Sequence, residues 1–297
     1  MKEAHHMRHY DHRGHAGNAG DVWKHFLLLE AASCLLIPDS SLVYAESHVG
    51  RPEYSLRTPG DWVGGIGKCW PLLPHLKKFC YFDLLASSNP SGLKCYPGSA
   101  SLVLRAAKKR NTTLRAEIWD IDPDVTAAWK RCSEISCRDA SHHAPSHKIS
   151  FKDASTRDVS SDASSHEIAF HLDNGFAGVG SLLDRSPPGL LLIDPPYVDA
   201  EDAKKAQELL GEAKAKGWVV LWWFMIENET IPPGRYERFE LNFSRAGLDG
   251  GRWKGSVVAV AGADDELLCR LHDQVEGFID TIRKIDSIKR INNIGKR

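Results

Sequence analysis

Apolar residues recur every three to four positions through residues 21–37, "DVWKHFLLLEAASCLLI", the period of a helix with a buried face. Asp21 is the expected cap, and Pro38 closes the segment. "SLVYAESHVG" then reads as a short strand ending in polar residues. Residues 51–95 lose this alternation. They are rich in Pro, Gly and Trp, with short helical pieces such as "WPLLPHLKKFCYFDLLAS", and read as an insertion packed on the main sheet. "YPGSASLVLRAAKKR" predicts a turn and a helix with Ser99 at the cap. "TLRAEIWDID" predicts a strand and "PDVTAAWKRCSEI" a helix. "LLLIDPPY", the helix "DAEDAKKAQELLGEAKAKG" and the apolar run "WVVLWWFMI" follow. "RYERFELNFS" and "GSVVAVAG" are the last expected strands.

Strand and helix alternate, so the expected fold is α/β: a mostly parallel sheet with helices on both faces. The expected division is a main domain of residues 1–50 and 96–275, a helical insertion at 51–95, a polar surface insert at 138–165 and a basic tail at 276–297. The insert is rich in Ser, Asp and His. It also holds a near-repeat, in which "SHKISFKDAS" echoes "SHEIAFHLDN" and leaves the register of this region ambiguous.

The 297 residues are 42% hydrophobic and 26% charged, with a formal net charge of −1. That is a globular composition, and its charge balance argues against general nucleic-acid affinity while leaving room for a local patch. "KKRNTTLR" (108–115) and the C-terminal segment are the basic candidates for phosphate contact. The seven cysteines are odd in number and form no Cys-x-x-Cys pair, which speaks against a disulfide framework and a structural zinc site. No apolar run is long enough to span a bilayer, and no signal-peptide pattern opens the chain; a cytoplasmic monomer is expected. The histidines near the start (His5, His6, His9, His12, His15) and in the insert (His142, His143, His147) read as surface residues, so no metal is expected. "GGIG" (64–67) reads as a turn, because no strand precedes it.

The candidate chemistry lies at "LLLIDPPY", residues 190–197. In an open parallel sheet, ligands bind at the carboxyl ends of strands. The aliphatic run delivers Asp194 to such an end. Two prolines fix φ and remove two N–H donors, leaving a lip of acceptors: the Asp194 carboxylate and neighbouring carbonyls, that of Pro195 included. Such a lip suits an amino group that must donate both hydrogens, and Tyr197 adds a flat face for a base. The amine of adenine is a poor nucleophile because its lone pair is delocalised into the ring. Accepting its hydrogens draws the nitrogen toward sp³ geometry and frees that pair.

An Asp-Pro-Pro-Tyr after a hydrophobic strand resembles the signature of the S-adenosylmethionine-dependent amino-group methyltransferases. With "HAGNAGDVWKH", "YPGS" and "LWW" in the same order, the chain resembles the RlmJ-type bacterial 23S rRNA adenine-N6 methyltransferases over most of residues 10–260. The resemblance implies a Rossmann-like class I methyltransferase fold, S-adenosylmethionine as methyl donor, and protein-free or early-assembly 23S rRNA as acceptor. It assigns Asp194 as the catalytic acid, with Pro195 and Tyr197 beside it. Lys24, His25, His48, Ser99, Asp120 and Asp194 itself become cofactor contacts, Asp120 through the ribose hydroxyls. A further acid after the third strand would bind the adenine end of the cofactor and is Asp153 or Asp173; the spacing of "DNGF" to the Asp-Pro-Pro strand prefers Asp173, with Asn174 as a further cofactor contact. Tyr10 and His12 would approach the target base. The chain departs from the family in "SHVGRPEY", where Val49 replaces alanine and Arg51-Pro52 stands at the second glycine, which implies a reshaped pocket. DNA adenine, a protein amide, or a non-catalytic role linked to the use of external DNA are the alternative readings.

Overall fold

The computed structural model describes residues 14–138, 148–152, 166–199, 201–227 and 236–294, and only the backbone at 133–138, 148–152 and 284–294. In chain order the strands are β1 (Ser41–Glu46), β2 (Glu53–Ser55), β3 (Cys95–Pro97), β4 (Thr113–Asp120), β5 (Lys148–Lys152), β6 (Glu167–Leu172), β7 (Leu190–Ile193), β8 (Val219–Met225), β9 (Glu237–Asn242) and β10 (Gly255–Ala261). The helices are α1 (Ala19–Leu35), α2 (Ile66–Cys69), α3 (Leu73–Leu76), α4 (Cys80–Ser88), α5 (Ser99–Arg110), α6 (Pro123–Arg138), α7 (Gly175–Leu183), α8 (Asp202–Ala215) and α9 (Asp265–Ile294).

Eight strands form one sheet in the order β5-β6-β4-β1-β7-β8-β10-β9. Each pair from β5 through β8 is parallel. β10 is antiparallel to both of its neighbours and is the single reversed strand. The fold is thus α/β with a mostly parallel sheet. The chain builds outward from β1 through β4 to β6, then returns to β1's other side with β7. The order reverses between β1 and β7, and the crevice beyond their carboxyl ends is where such sheets bind ligands.

The alternation within β7 explains the two core layers. Leu190 and Leu192 pack on the face covered by α1, α5 and α6; Leu191 and Ile193 pack on the face covered by α7 and α8. All four are fully buried, so the strand reads as an unbroken aliphatic run rather than an alternating one.

Several expectations change. α1 is capped by Asn18, whose side chain accepts from the Asp21 N–H at 2.8 Å; Asp21 is released for other work. Ser99 is the first residue of α5 and caps nothing: Gly98 holds the cap position and the Ser99 hydroxyl is used elsewhere. The insertion packs on the helical layer, α4 against α1 and α5 and α3 against α9, rather than on the sheet, while β2 and β3 pair at its base. Within 138–165, residues 148–152 are not a surface loop: they add an edge strand to the sheet. The near-repeat finds its reason there, since Ile149 pairs with Ile168 and Phe151 with Phe170, the two copies lying side by side in matching register. The basic C-terminal residues to Ile294 belong to the single helix α9.

Candidate functional site at the carboxyl end of the sheet

Asp194 leaves β7 at the point where the strand order reverses. Its Oδ2 accepts from Lys24 Nζ at 2.5 Å, across 170 residues of sequence. The same Nζ lies 2.9 Å from Asp21 Oδ1. Asp21 is itself held through Oδ2 by the Gly17 N–H, at 2.9 Å. Gly17 is fixed in turn by the insertion: its carbonyl accepts from Ile66 N, and a Cβ on Gly65 would lie 2.2 Å from that oxygen. The "GGIG" turn therefore allows a close backbone approach that positions Asp21, Lys24 and Asp194 in sequence. Lys24 is 6% exposed. Burial alone would favour its neutral form, but the charges of Asp194 and Asp21 and their hydrogen bonds outweigh it, and the ammonium is held well above the ordinary lysine range. Nζ also stands 5.4 Å over the ring of Trp223.

After Asp194 the chain turns sharply. Pro195 is buried, and Tyr197 adopts φ +54°, an uncommon conformation for a bulky residue. The strain is held by its hydroxyl, which donates to the Trp223 carbonyl at 2.5 Å and accepts from Trp222 Nε1 at 2.8 Å. Burial pushes this phenol well above its usual range. Tyr197 is thus fastened at its hydroxyl end to β8, with its ring tilted against Trp223. Trp222 is core; the half-buried Trp223 is the one that borders the site.

At the end of β1 sits a residue the sequence reading passed over. Glu46 is 1% exposed. It accepts from the Ser99 hydroxyl on one oxygen and from the Tyr44 hydroxyl at 2.7 Å on the other. Burial pushes its carboxyl up to about 7, against the opposing pull of those hydrogen bonds and of Lys24. The signal was present, an acid closing an apolar strand as Asp120 and Asp194 do, but only the strand order puts it beside Asp194.

The neighbouring strands complete the rim. Asp120 ends β4 and Asp173 follows β6; the Asp173 N–H donates to the Asp120 carbonyl at 3.2 Å. Asp120 Oδ1 accepts from Asp122 N at 2.7 Å. Asn174 caps α7, accepting from Ala177 N, and its own N–H donates to Asp173 Oδ1. α7 approaches β1's loop so closely that a Cβ on Gly175 would lie 1.5 Å from the Ser47 carbonyl oxygen. That approach sets His48 edge-on against Phe176, with ring centroids 4.6 Å apart. Burial pushes the His48 imidazole down to about 4, so it is neutral at physiological pH. Two large apolar side chains stand exposed on this rim, Ile121 at 74% and Leu172 at 46%, each next to one of the acids.

Of the predicted site residues, Lys24, Ser99 and Asp194 meet around Glu46, and His48, Asp120, Asp173 and Asn174 form the adjoining rim. His25 is not among them. It is 3% exposed, stacked on Tyr96 and bonded to the Tyr96 hydroxyl at 2.8 Å, which continues to Tyr81. It faces the insertion and presents no surface to a ligand, because Lys24 and His25 lie about 100° apart on one helix. Arg51, just before the Pro52 that stands where the resemblance expects a second glycine, directs its guanidinium to Asp124 on α6 at 3.6 Å, and its N–H donates to the Tyr54 hydroxyl. Tyr10, His12, Asp153 and the flanking histidine clusters other than His15 lie outside the described residues. His15 pairs with Asp61. Among the described residues, no group of three or more His, Cys, Asp or Glu could hold a metal ion, and no helix is long and apolar enough to cross a membrane.

No family model matches the chain, and no curated protein matches it. Among solved structures it is similar to protein LPL1258 from Legionella pneumophila, described by the family model DUF519. The TM-score is 0.65 at 20% identity, covering 89% of this chain and 94% of that one. At that identity the likeness concerns the fold.

Proposed function

We propose that the protein is a Rossmann-like, S-adenosylmethionine-dependent methyltransferase that modifies the exocyclic amine of an adenine in 23S rRNA. The observation that carries this reading is Asp194: an acid on a proline-rigidified lip, at the switch point of the sheet, bonded to a buried lysine. The residues present fit the cofactor. Asp120 would accept from ribose hydroxyls, Asp173 and Asn174 would meet the adenine amine, and the exposed Ile121 and Leu172 its faces, with neutral His48 nearby. When bound, the cofactor supplies a methyl group on a positively charged sulfur, which needs in-line positioning above all.

The chain's own residues do the rest. Lys24 engages Asp194 Oδ2 and so fixes the orientation of the carboxyl group. That carboxylate and the Pro195 carbonyl accept the two amine hydrogens and localise the nitrogen lone pair. Tyr197, anchored to Trp222 and Trp223, walls the base. Asp21 secures Lys24 from behind, so the pair is assembled before substrate arrives.

The test is tritium transfer from labelled S-adenosylmethionine to protein-free rRNA, alongside DNA and protein acceptors, with calorimetry for cofactor binding. Asp194→Ala should retain the native circular dichroism spectrum while losing roughly a hundredfold or more in rate. Retained turnover in that variant removes Asp194 from the mechanism. Absence of cofactor binding by the native protein removes the methyltransferase reading altogether.

A further inference from the structure

At the far ends of α1 and α5 the surface opens into a second cleft of about 440 Å³. Its rim carries Lys77, Lys78, Lys109, Arg110 and Arg270, against two lining acids, Glu30 and Asp83. Beneath the rim, Phe79, Ala106 and Leu271 are each no more than 2% exposed, so the surface the cleft offers is mainly that of its polar and charged side chains. Ten residues of α1 separate Lys24 from Cys34, which also lines the cleft. At 1.5 Å per residue the cleft therefore lies about 15 Å from the Lys24 end of the helix.

The charge here is only partly compensated. Lys109 is paired with Asp83, and Arg270 with Glu266 at 2.8 Å. Among the described residues, Lys77, Lys78 and Arg110 have no carboxylate within 4.0 Å, and Lys78 leans over the Phe79 ring at 4.9 Å. Glu30 does little to cancel them. Its carboxyl is buried and turned to the first turn of α4, accepting from Tyr81 N at 3.4 Å and from Cys80 N. Burial pushes it up to about 7, so near neutrality it carries only part of a charge. The cleft thus gathers cations in a chain whose formal net charge is −1.

We propose that this cleft is a second binding site, one for nucleotide phosphates, which the rim cations take. Clustered, partly uncompensated cations match the phosphate groups of a nucleotide. The proposal deepens the reading of the protein as an RNA methyltransferase, since a strand whose base enters at Asp194 could be gripped here as well. The same chemistry fits a free nucleotide.

The experiment measures binding of a fluorescent single-stranded oligoribonucleotide to the full chain across a salt series. Adenosine monophosphate and inorganic phosphate serve as competitors. The comparison is with the triple variant Lys77→Ala, Lys78→Ala, Arg110→Ala, checked by circular dichroism. Three lost phosphate contacts should lower the slope of log affinity against log salt by about 2 and weaken binding about tenfold or more near 0.1 M salt. Asp83→Asn, which frees Lys109, should shift affinity the opposite way. Competition by adenosine monophosphate at micromolar concentration assigns the site to free nucleotides; competition only at millimolar levels, with the oligonucleotide retained, assigns it to a nucleic-acid strand. A native-like triple variant with unchanged affinity and slope overturns the proposal, as does a wild-type chain that binds neither ligand. Calorimetry with S-adenosylmethionine on the same variants keeps the two readings apart, because the triple variant should bind the cofactor as the native chain does whatever becomes of the cleft.

Discussion

Replacing Lys24 by methionine keeps most of the aliphatic stem and deletes one buried charge. The native side chain is 7% exposed and bridges Asp21, 3% exposed, and Asp194, 17% exposed. Removing it strands two carboxylates in the interior. Breaking a buried pair costs about 3–5 kcal/mol. The partial exposure of Asp194 trims this, and the lost contact with Trp223 adds a little, so about 3 kcal/mol is expected near pH 8. For a chain of this size that lowers Tm by roughly 5 °C. The sign of the pH dependence is diagnostic. Lys24 is raised in the fold, so its contribution is full at neutral pH and is lost only as pH climbs beyond the ordinary lysine range. In the variant, the stranded carboxyls bind protons more tightly folded than unfolded. The deficit therefore shrinks as pH falls, to about 1 kcal/mol by pH 5. Urea titrations of both proteins at pH 8 and pH 5 measure it, the native chain supplying the pH baseline. A deficit under 1 kcal/mol at pH 8, or one that does not change with pH, refutes the argument that a dry ion pair organises this site.

Two further outcomes follow from the same geometry. Glu46 is pushed up to about 7 by burial, above its unfolded value, so the folded state binds more protons and stability should fall as pH rises from about 4.5 to 7. Glu46→Gln should remove about 3 kcal/mol of that fall, read as a flatter stability–pH curve from urea midpoints; an unchanged slope would mean Glu46 is ionised throughout. Gly175→Ala puts a methyl 1.5 Å from the Ser47 carbonyl oxygen, so α7 must withdraw from β1. The expected cost is about 1–3 kcal/mol by thermal scan, together with weakened cofactor binding by calorimetry; a variant equal to the native chain in both would show that the approach of α7 is not needed.

What the amino-acid order determined by itself is the local grammar. An aliphatic run that ends on Asp194-Pro195-Pro196 makes a buried strand with a rigid acceptor lip, because prolines cannot extend the ladder. The helix periods of α1, α5 and α8 and the acids after β4 and β6 are of the same kind, since each depends on neighbours a few positions away. The near-repeat in 147–172 was visible but uninterpretable, because pairing register is a contact between strands and not a property of either. Tertiary structure decided everything that joins distant segments. Lys24 and His25 are adjacent in sequence, yet one reaches Asp194 and the other Tyr96, because successive residues on a helix point about 100° apart. Glu46 became a site residue only when β7 returned to lie against β1. The cleft over Phe79 exists only where the ends of α1, α4 and α5 meet α9. Charge, burial and proton affinity are sums over neighbours, and most of these neighbours are brought in by the fold rather than by the chain's order.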